Sequence, residues 1–181
     1  MDEGFAASVD RVAEVAGVSK QTVYSHFGSK EQLYRDAGTS IMRAPVSEMI
    51  DRSLTVTKTL TKYGRITLAK LVSERHVVAH RRLIEQAAAF PAMARVHAEF
   101  GPVLSIEMLA DYLTDQMAAG KLRSADARQA AEDFHSLLQG MTRLNRLFGH
   151  TEEPTAAAIN RSVDHTVDVF LRAYGLRQNH T

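Results

Sequence analysis

Apolar residues recur at intervals of three and four from Val9 to Tyr174, and no segment alternates apolar and polar residues in the two-residue rhythm of a half-buried strand. That interval lays side chains along one face of an α-helix, so the chain is constrained to an all-α fold. Glycine and proline punctuate it at Gly17, Gly28, Pro45, Gly64, Pro91, Gly101, Pro102, Gly120, Gly149 and Pro154. Between these marks the pattern predicts helices over 8–15, 19–27, 30–51, 57–72, 74–89, 92–99, 103–119, 125–148 and 155–174. Pro45 and the Ser/Thr-rich stretch after it break or kink the third of these. They place a boundary between an N-terminal domain, 1–45, and a helical body, 46–181.

The first two helices are short and joined by a glycine turn. Val9, Val12, Ala13 and Ala16 share one face, and Ser8 is a suitable N-cap. Gly17 stands where a helix ends in a left-handed residue, Val18 is an apolar plug, and Ser19 caps the second helix. There Val23 and Phe27 face inward, which leaves Lys20, Gln21, Thr22 and Ser25 facing out. Two short helices around such a turn make a helix-turn-helix, whose second helix enters the DNA major groove. Lysine donates to guanine, glutamine pairs with adenine, and threonine bonds a base or touches the thymine methyl. Tyr24, His26 and Lys30 cluster where the second helix meets the next, and all three can donate to phosphate oxygens. Ser29 to Gln32 read as a capping box for the following helix.

Residues 4–36, GFAASVDRVAEVAGVSKQTVYSHFGSKEQLYRD, resemble the N-terminal domain of the TetR family of one-component transcriptional regulators. Ala13, Ala16-Gly17-Val18-Ser19, Tyr24, His26-Phe27 and Ser29-Lys30-Glu31 fall in register with that family. The resemblance implies that Lys20, Gln21 and Thr22 face bases and that Ser8, Tyr24, His26 and Lys30 touch phosphates. It also implies a repressor that binds a near-palindromic operator in double-stranded DNA as a homodimer and is released by a small-molecule inducer. Members carry a first helix before the Gly4-Phe5 pair, whereas only three residues precede Gly4 here. The expectation is therefore a three-helix core without its first helix. The alternative function is a helical ligand-binding protein impaired in DNA binding.

Charge alone does not point to nucleic acid. The chain carries a net +1, and residues 1–36 hold four basic residues against six acidic ones. The DNA reading therefore rests on position, because the usual basic footprint is missing. With no cysteine, disulfides, thiolate metal sites and thiol nucleophiles are excluded. No run free of Asp, Glu, Lys and Arg exceeds nine residues, as at Gln86–Ala94, far short of a membrane span of about 20. The expected location is the cytoplasm, with no membrane partner. Neither a nucleophile elbow nor a phosphate-binding glycine loop is present. No catalytic set, metal site or cofactor is expected.

The body ends in two long amphipathic segments. Ala127, Phe134, Met141 and Phe148 recur every seven residues, with Ala130, Leu137 and Leu144 three positions later. Ala156, Ile159, Val163, Val167, Phe170 and Tyr174 form a second seam. A hairpin of two such helices pairs with its copy as a four-helix bundle, and the family resemblance implies the same dimer. Phe134, Met141, Leu144, Val163, Val167 and Phe170 are its expected interface. Gly140, inside the first seam, is expected to permit a close helix crossing.

Residues 103–119 are apolar on more than one face, as in a helix buried on both sides. In TetR-like proteins the inducer sits beside such a helix. The expected lining is Phe90, Phe100, Leu104, Met108, Tyr112, Phe134, Leu138 and Met141. The stretch around 65–148 loosely resembles the ligand domains of multidrug-responsive members. His76 and His80 are spaced to share a metal, but Arg75, Arg81 and Arg82 crowd them, so the pair reads as a solvated basic face. His97 and His135 read as hydrogen-bonded core histidines ahead of ligand contacts.

Overall fold

The computed structural model of the chain describes residues 9–33, 35–36 and 48–176. Among the described residues there are helices and no strand. The order is α1 (Val9–Ala16), α2 (Lys20–Phe27), α3 (Val56–Val72), α4 (Glu74–Gln86), α5 (Pro91–Ala98), α6 (Leu104–Ala118), α7 (Ala127–Leu147) and α8 (Ala156–Tyr174). Side-chain oxygens cap five of these at the N-terminus. Ser19, Thr55, Ser73, Asp126 and Thr155 accept from the first exposed amides of α2, α3, α4, α7 and α8.

In the body, α3, α6, α7 and α8 enclose one apolar core. Leu60, Tyr63, Leu68 and Val72 of α3 meet Leu109, Tyr112 and Leu113 of α6, Phe134 and Leu138 of α7, and Val163 and Phe170 of α8. At its centre the Phe134 and Phe170 rings meet edge to face, 5.4 Å between centroids. At the outer corner Arg146 is almost fully buried. Its guanidinium donates to the Val72 and Thr151 carbonyls at 3.0 and 2.8 Å and to the Glu74 carboxylate at 2.5 Å. It pins the α3–α4 corner to the end of α7.

Several expectations change. The helix foreseen over 30–51 has ended by Ile50, where the Asp51 carboxylate turns the chain by accepting from the Ser53 amide at 3.1 Å. Pro45 and the domain boundary there lie outside the described residues. The break foreseen at Gly101-Pro102 is instead a π-helical turn, Glu99–Val103, that carries α5 into α6. A wider turn accommodates a proline that has no N–H to donate. Within the chain Gly140 makes no close crossing. An added Cβ there meets nothing within 4 Å, while its φ of 41° and ψ of −149° break the helical path of α7. The close crossing is at Gly64, read from sequence as punctuation. A Cβ there would stand 2.8 Å from Val163 Cγ1 and 3.4 Å from Leu138 Cδ1.

Gly64→Ala therefore sets two effects against each other. Helix propensity gains about 1 kcal/mol. Overpacking against the buried, β-branched Val163 costs about 1–3 kcal/mol. Urea denaturation should show a net loss of about 1 kcal/mol, and the double variant with Val163→Ala should lose less than the sum of the single changes. A stabilised Gly64→Ala would show that the helices are free to part.

Candidate functional site

The first site is the corner made by α1 and α2. Val9, Ala13 and Val23 form its buried seam, with Phe27 and Leu33 packed at the edge. The turn closes through the main chain: Val18 N–H donates to Ala13 O at 3.0 Å and Gly17 N–H to Glu14 O at 3.2 Å, with Gly17 at φ 67°. This backbone closure explains two departures from expectation. Val18 is exposed rather than a plug, and Ala16 lies outside the seam. Ser19 Oγ accepts from the Thr22 amide at 3.0 Å and lies 2.8 Å from the Thr22 hydroxyl. The far end closes at Gly28, φ 73°, whose amide donates to Tyr24 O at 2.8 Å.

The expected base-facing residues Lys20, Gln21 and Thr22 all lie exposed on α2, as do Tyr24, Ser25 and His26. Lys30 is half-buried beside Ser29, whose hydroxyl accepts from Gln32 N–H at 3.1 Å. Ser8 and Phe5 lie outside the described residues. One partnership escaped the sequence reading: Lys20 Nζ donates to Asp10 Oδ2 at 2.9 Å, and this contact raises the lysine pKa. The pair is exposed, so its exchange for a base acceptor costs little.

The seams of α7 and α8 face differently from the expectation. Phe134, Val163, Val167 and Phe170 are at most 3% exposed and fill the chain's own core, so they are not on its surface. The outer line of α7 is Leu137, Met141, Leu144 and Phe148, exposed by 44, 64, 41 and 79%. Of the expected interface, Met141 and Leu144 remain there. Beside them an open groove of about 550 Å³ runs along α7 and α8, lined by Asp133, Ser136, Leu137, Gly140, Phe170, Ala173 and Tyr174.

The expected ligand lining also separates. Met141 and Phe90 lie on the outside, Phe90 at 58% exposure. Tyr112, Phe134 and Leu138 are closed into the core. Phe100, Leu104 and Met108 are half-buried at the start of α6. Helix phase turns Tyr112, Phe134 and Leu138 into the core and Met141 away from it, while Phe90 lies before α5 as its N-cap.

A polar cluster inside the body was not foreseen. His76 and His80 do not form a solvated basic face; both are half-buried, with rings stacked 5.9 Å apart at 14°. The His97 ring is 5.9 Å from that of His80. Arg143 Nη2 donates to His80 Nε2 at 3.1 Å. Arg143 also donates to Gln139, one turn back. On the same face of α7, His135 is 5% exposed and shares a 2.8 Å hydrogen bond with the Tyr63 hydroxyl. Burial, and then the Arg143 charge, push His76, His80 and His135 down to about 4 and lower His97 in the same direction. Burial lowers Arg143 itself. No group of three or more His, Cys, Asp or Glu side chains among the described residues is arranged to hold a metal. The available signal was spacing: His76 and His80 are four apart, and His135, Gln139 and Arg143 recur by fours.

Comparison with known proteins agrees with this architecture. Residues 58–176 match the family of the AefR-like transcriptional repressor C-terminal domain, and residues 1–37 match the tetR family of bacterial regulatory proteins. The chain is a bacterial one-component regulator in class, built from a helix-turn-helix and a helical ligand-binding domain. It belongs to the TetR family. Among solved structures, the Flavonoid-responsive Regulator FrrA is 30% identical, with a TM-score of 0.76 over 96% of this chain and 89% of that one. A protein of Mesorhizobium loti MAFF303099 assigned to the same family shares 24% identity and the fold, with a TM-score of 0.73 over 96% and 90% of the two chains. A TetR family regulator of Pseudomonas syringae pv. tomato DC3000 also shares the fold, at 24% identity and a TM-score of 0.65 over 97% and 90%. The comparison with curated proteins returned no match. No helix among the described residues is long and apolar enough to cross a membrane.

The depressed histidines give stability a pH dependence of definite sign. In the unfolded chain they bind protons as pH falls below 6.5; in the folded chain they resist until about 4. Stability is therefore full above pH 6.5 and declines between 6.5 and about 4. His135, the most buried, accounts for on the order of 3 kcal/mol of that loss. Denaturation across this range should show the decline, and His135→Gln should make it shallower. A flat profile would contradict the burial of these rings.

Proposed function

We propose that this protein is a ligand-responsive repressor that binds a near-palindromic operator as a homodimer. The observation that carries the reading is the presentation of Lys20, Gln21 and Thr22 together on the exposed face of a helix capped at both ends. Ser8, Tyr24, His26 and Lys30 hold phosphates around it. The match of residues 1–37 to the tetR family favours this over an impaired DNA binder. On this reading the protein works in the cytoplasm, and the reading domain passes into the body near residue 45.

Dimerisation uses the exposed line Leu137, Met141, Leu144 and Phe148 with the adjoining groove. A two-fold axis there sets each apolar residue near its own copy. The effector is a small, largely apolar molecule near α6; the flavonoid response named for the relative at 30% identity supports a flat polyphenol. The Arg35–Glu99 ion pair joins the segment after the reading helix to the π-helical turn before α6. It offers a route by which an effector shifts the spacing of the two reading heads.

Fluorescence anisotropy with DNA from around the protein's own gene tests the reading. Gln21→Ala should cost about 1–3 kcal/mol on the preferred site and relax preference at one base pair, while Lys30→Ala should weaken all sequences and lower the salt slope by about 1. Failure of the unmutated protein to prefer any such DNA would refute the regulator reading.

The dimer has its own test. Sedimentation should give a dimer for the unmutated protein and a folded monomer for Met141→Asp, whose site is exposed in the single chain. A monomeric parent protein would remove the proposed interface.

A further inference from the structure

Arg143 and His80 each carry a buried nitrogen that has no hydrogen-bond partner. A guanidinium only donates, so its 3.1 Å contact makes His80 Nε2 an acceptor and puts the imidazole proton on Nδ1. That Nδ1 is buried and has no hydrogen-bond partner; nor has the buried Nε of Arg143. Both unsatisfied atoms are therefore N–H donors in one cluster.

Charge points the same way. Among the described residues no carboxylate pairs with Arg143, whose partners are Gln139 and His80. Two acids on neighbouring elements are engaged elsewhere: Glu74 pairs with Arg146, and Glu99 with Arg35. Lys70 adds positive potential at His76 and His97. Arg143 is half-buried, and partial removal of a cation from water is costly when no anion is paired with it. Here the hydrogen-bond partners of the guanidinium are a neutral imidazole, His80, and a neutral amide, Gln139.

We infer that Arg143, with His80 and His97 beside it, binds the acidic oxygen of a small planar organic anion, a carboxylate or a phenolate. The guanidinium supplies the charge and a planar fork of donors, and His80 Nδ1–H supplies a further donor. The nearly parallel His76 and His80 rings give a flat ligand a matching face. The inference deepens the effector reading above, and its consequence at DNA rests on that reading.

The test uses benzoate, 2-naphthoate and 7-hydroxyflavone at mildly alkaline pH, each beside its neutral counterpart, benzamide, 2-naphthamide and 7-methoxyflavone. Binding is followed by calorimetry and by the imidazole NMR signals of the full chain. At least one anion should bind and move the His76, His80 and His97 signals, with its neutral counterpart weaker by about tenfold or more, as expected for loss of a charge-assisted hydrogen bond. Arg143→Met should show the same loss. His80→Phe removes the second donor without touching the charge; it should weaken the anion by a smaller factor, and it keeps the test decisive if Arg143→Met fails to fold. Binding by none of the anions, equal binding of the neutral forms, or undiminished binding by both variants would overturn the site. Operator DNA provides the separate readout. An anion that binds the cluster yet leaves DNA affinity unchanged upholds the site and sinks the effector reading. Release of DNA by 7-hydroxyflavone that persists unchanged in both variants does the reverse.

Discussion

The approach of α3 to α8 at Gly64 governs the spacing of the body. Without a Cβ at that point, Val163 and Leu138 close directly on the α3 backbone. The Phe134 ring then lies between Tyr63 and Phe170, with centroids 6.1 and 5.4 Å away. This packing brings Tyr63 within hydrogen-bond reach of His135 on α7. Close-packed interiors transmit such constraints, because side chains have few alternative positions. The placement of the polar cluster thus depends on an apolar contact.

The two faces of α7 divide its work. One face supplies Phe134 and Leu138 to the core, and His135, Gln139 and Arg143 continue the polar row beside it. The outer face carries Leu137, Met141, Leu144 and Phe148. The irregular φ and ψ at Gly140 fall between the part of α7 that holds His135 and the part that holds Arg143. A residue with a side chain would resist that backbone, which gives the glycine a conformational role.

The reading corner and the body meet different physical demands. The corner is held by three small or medium apolar side chains, two glycine turns and a serine cap, so its outward residues are set by local geometry. The body is held by contacts between residues far apart in sequence, such as Arg146 with Glu74 and Tyr63 with His135. Arg35 and Glu99 link the two.

The sequence by itself determined the all-α class, the helix-turn-helix and the residues on its outward face. Those features depend on interactions within the two short helices and the turns at their ends: Ser19 capping Thr22, Gly17 and Gly28 in left-handed conformations, and the Val9–Ala13–Val23 seam. Only the tertiary structure decided the rest. A seven-residue seam on α7 and α8 marks two apolar sides, and helix periodicity does not say which side meets the chain's own core. The choice fell on Phe134, Val163, Val167 and Phe170 because α3 and α6 supply the opposing surface. Likewise His76, His80, His97 and Arg143 come from three helices, and their pairing requires the helices to converge. Local sequence fixes what a helix presents on each face, while burial, and with it the chemistry of a histidine or an arginine, is set by what packs against that face.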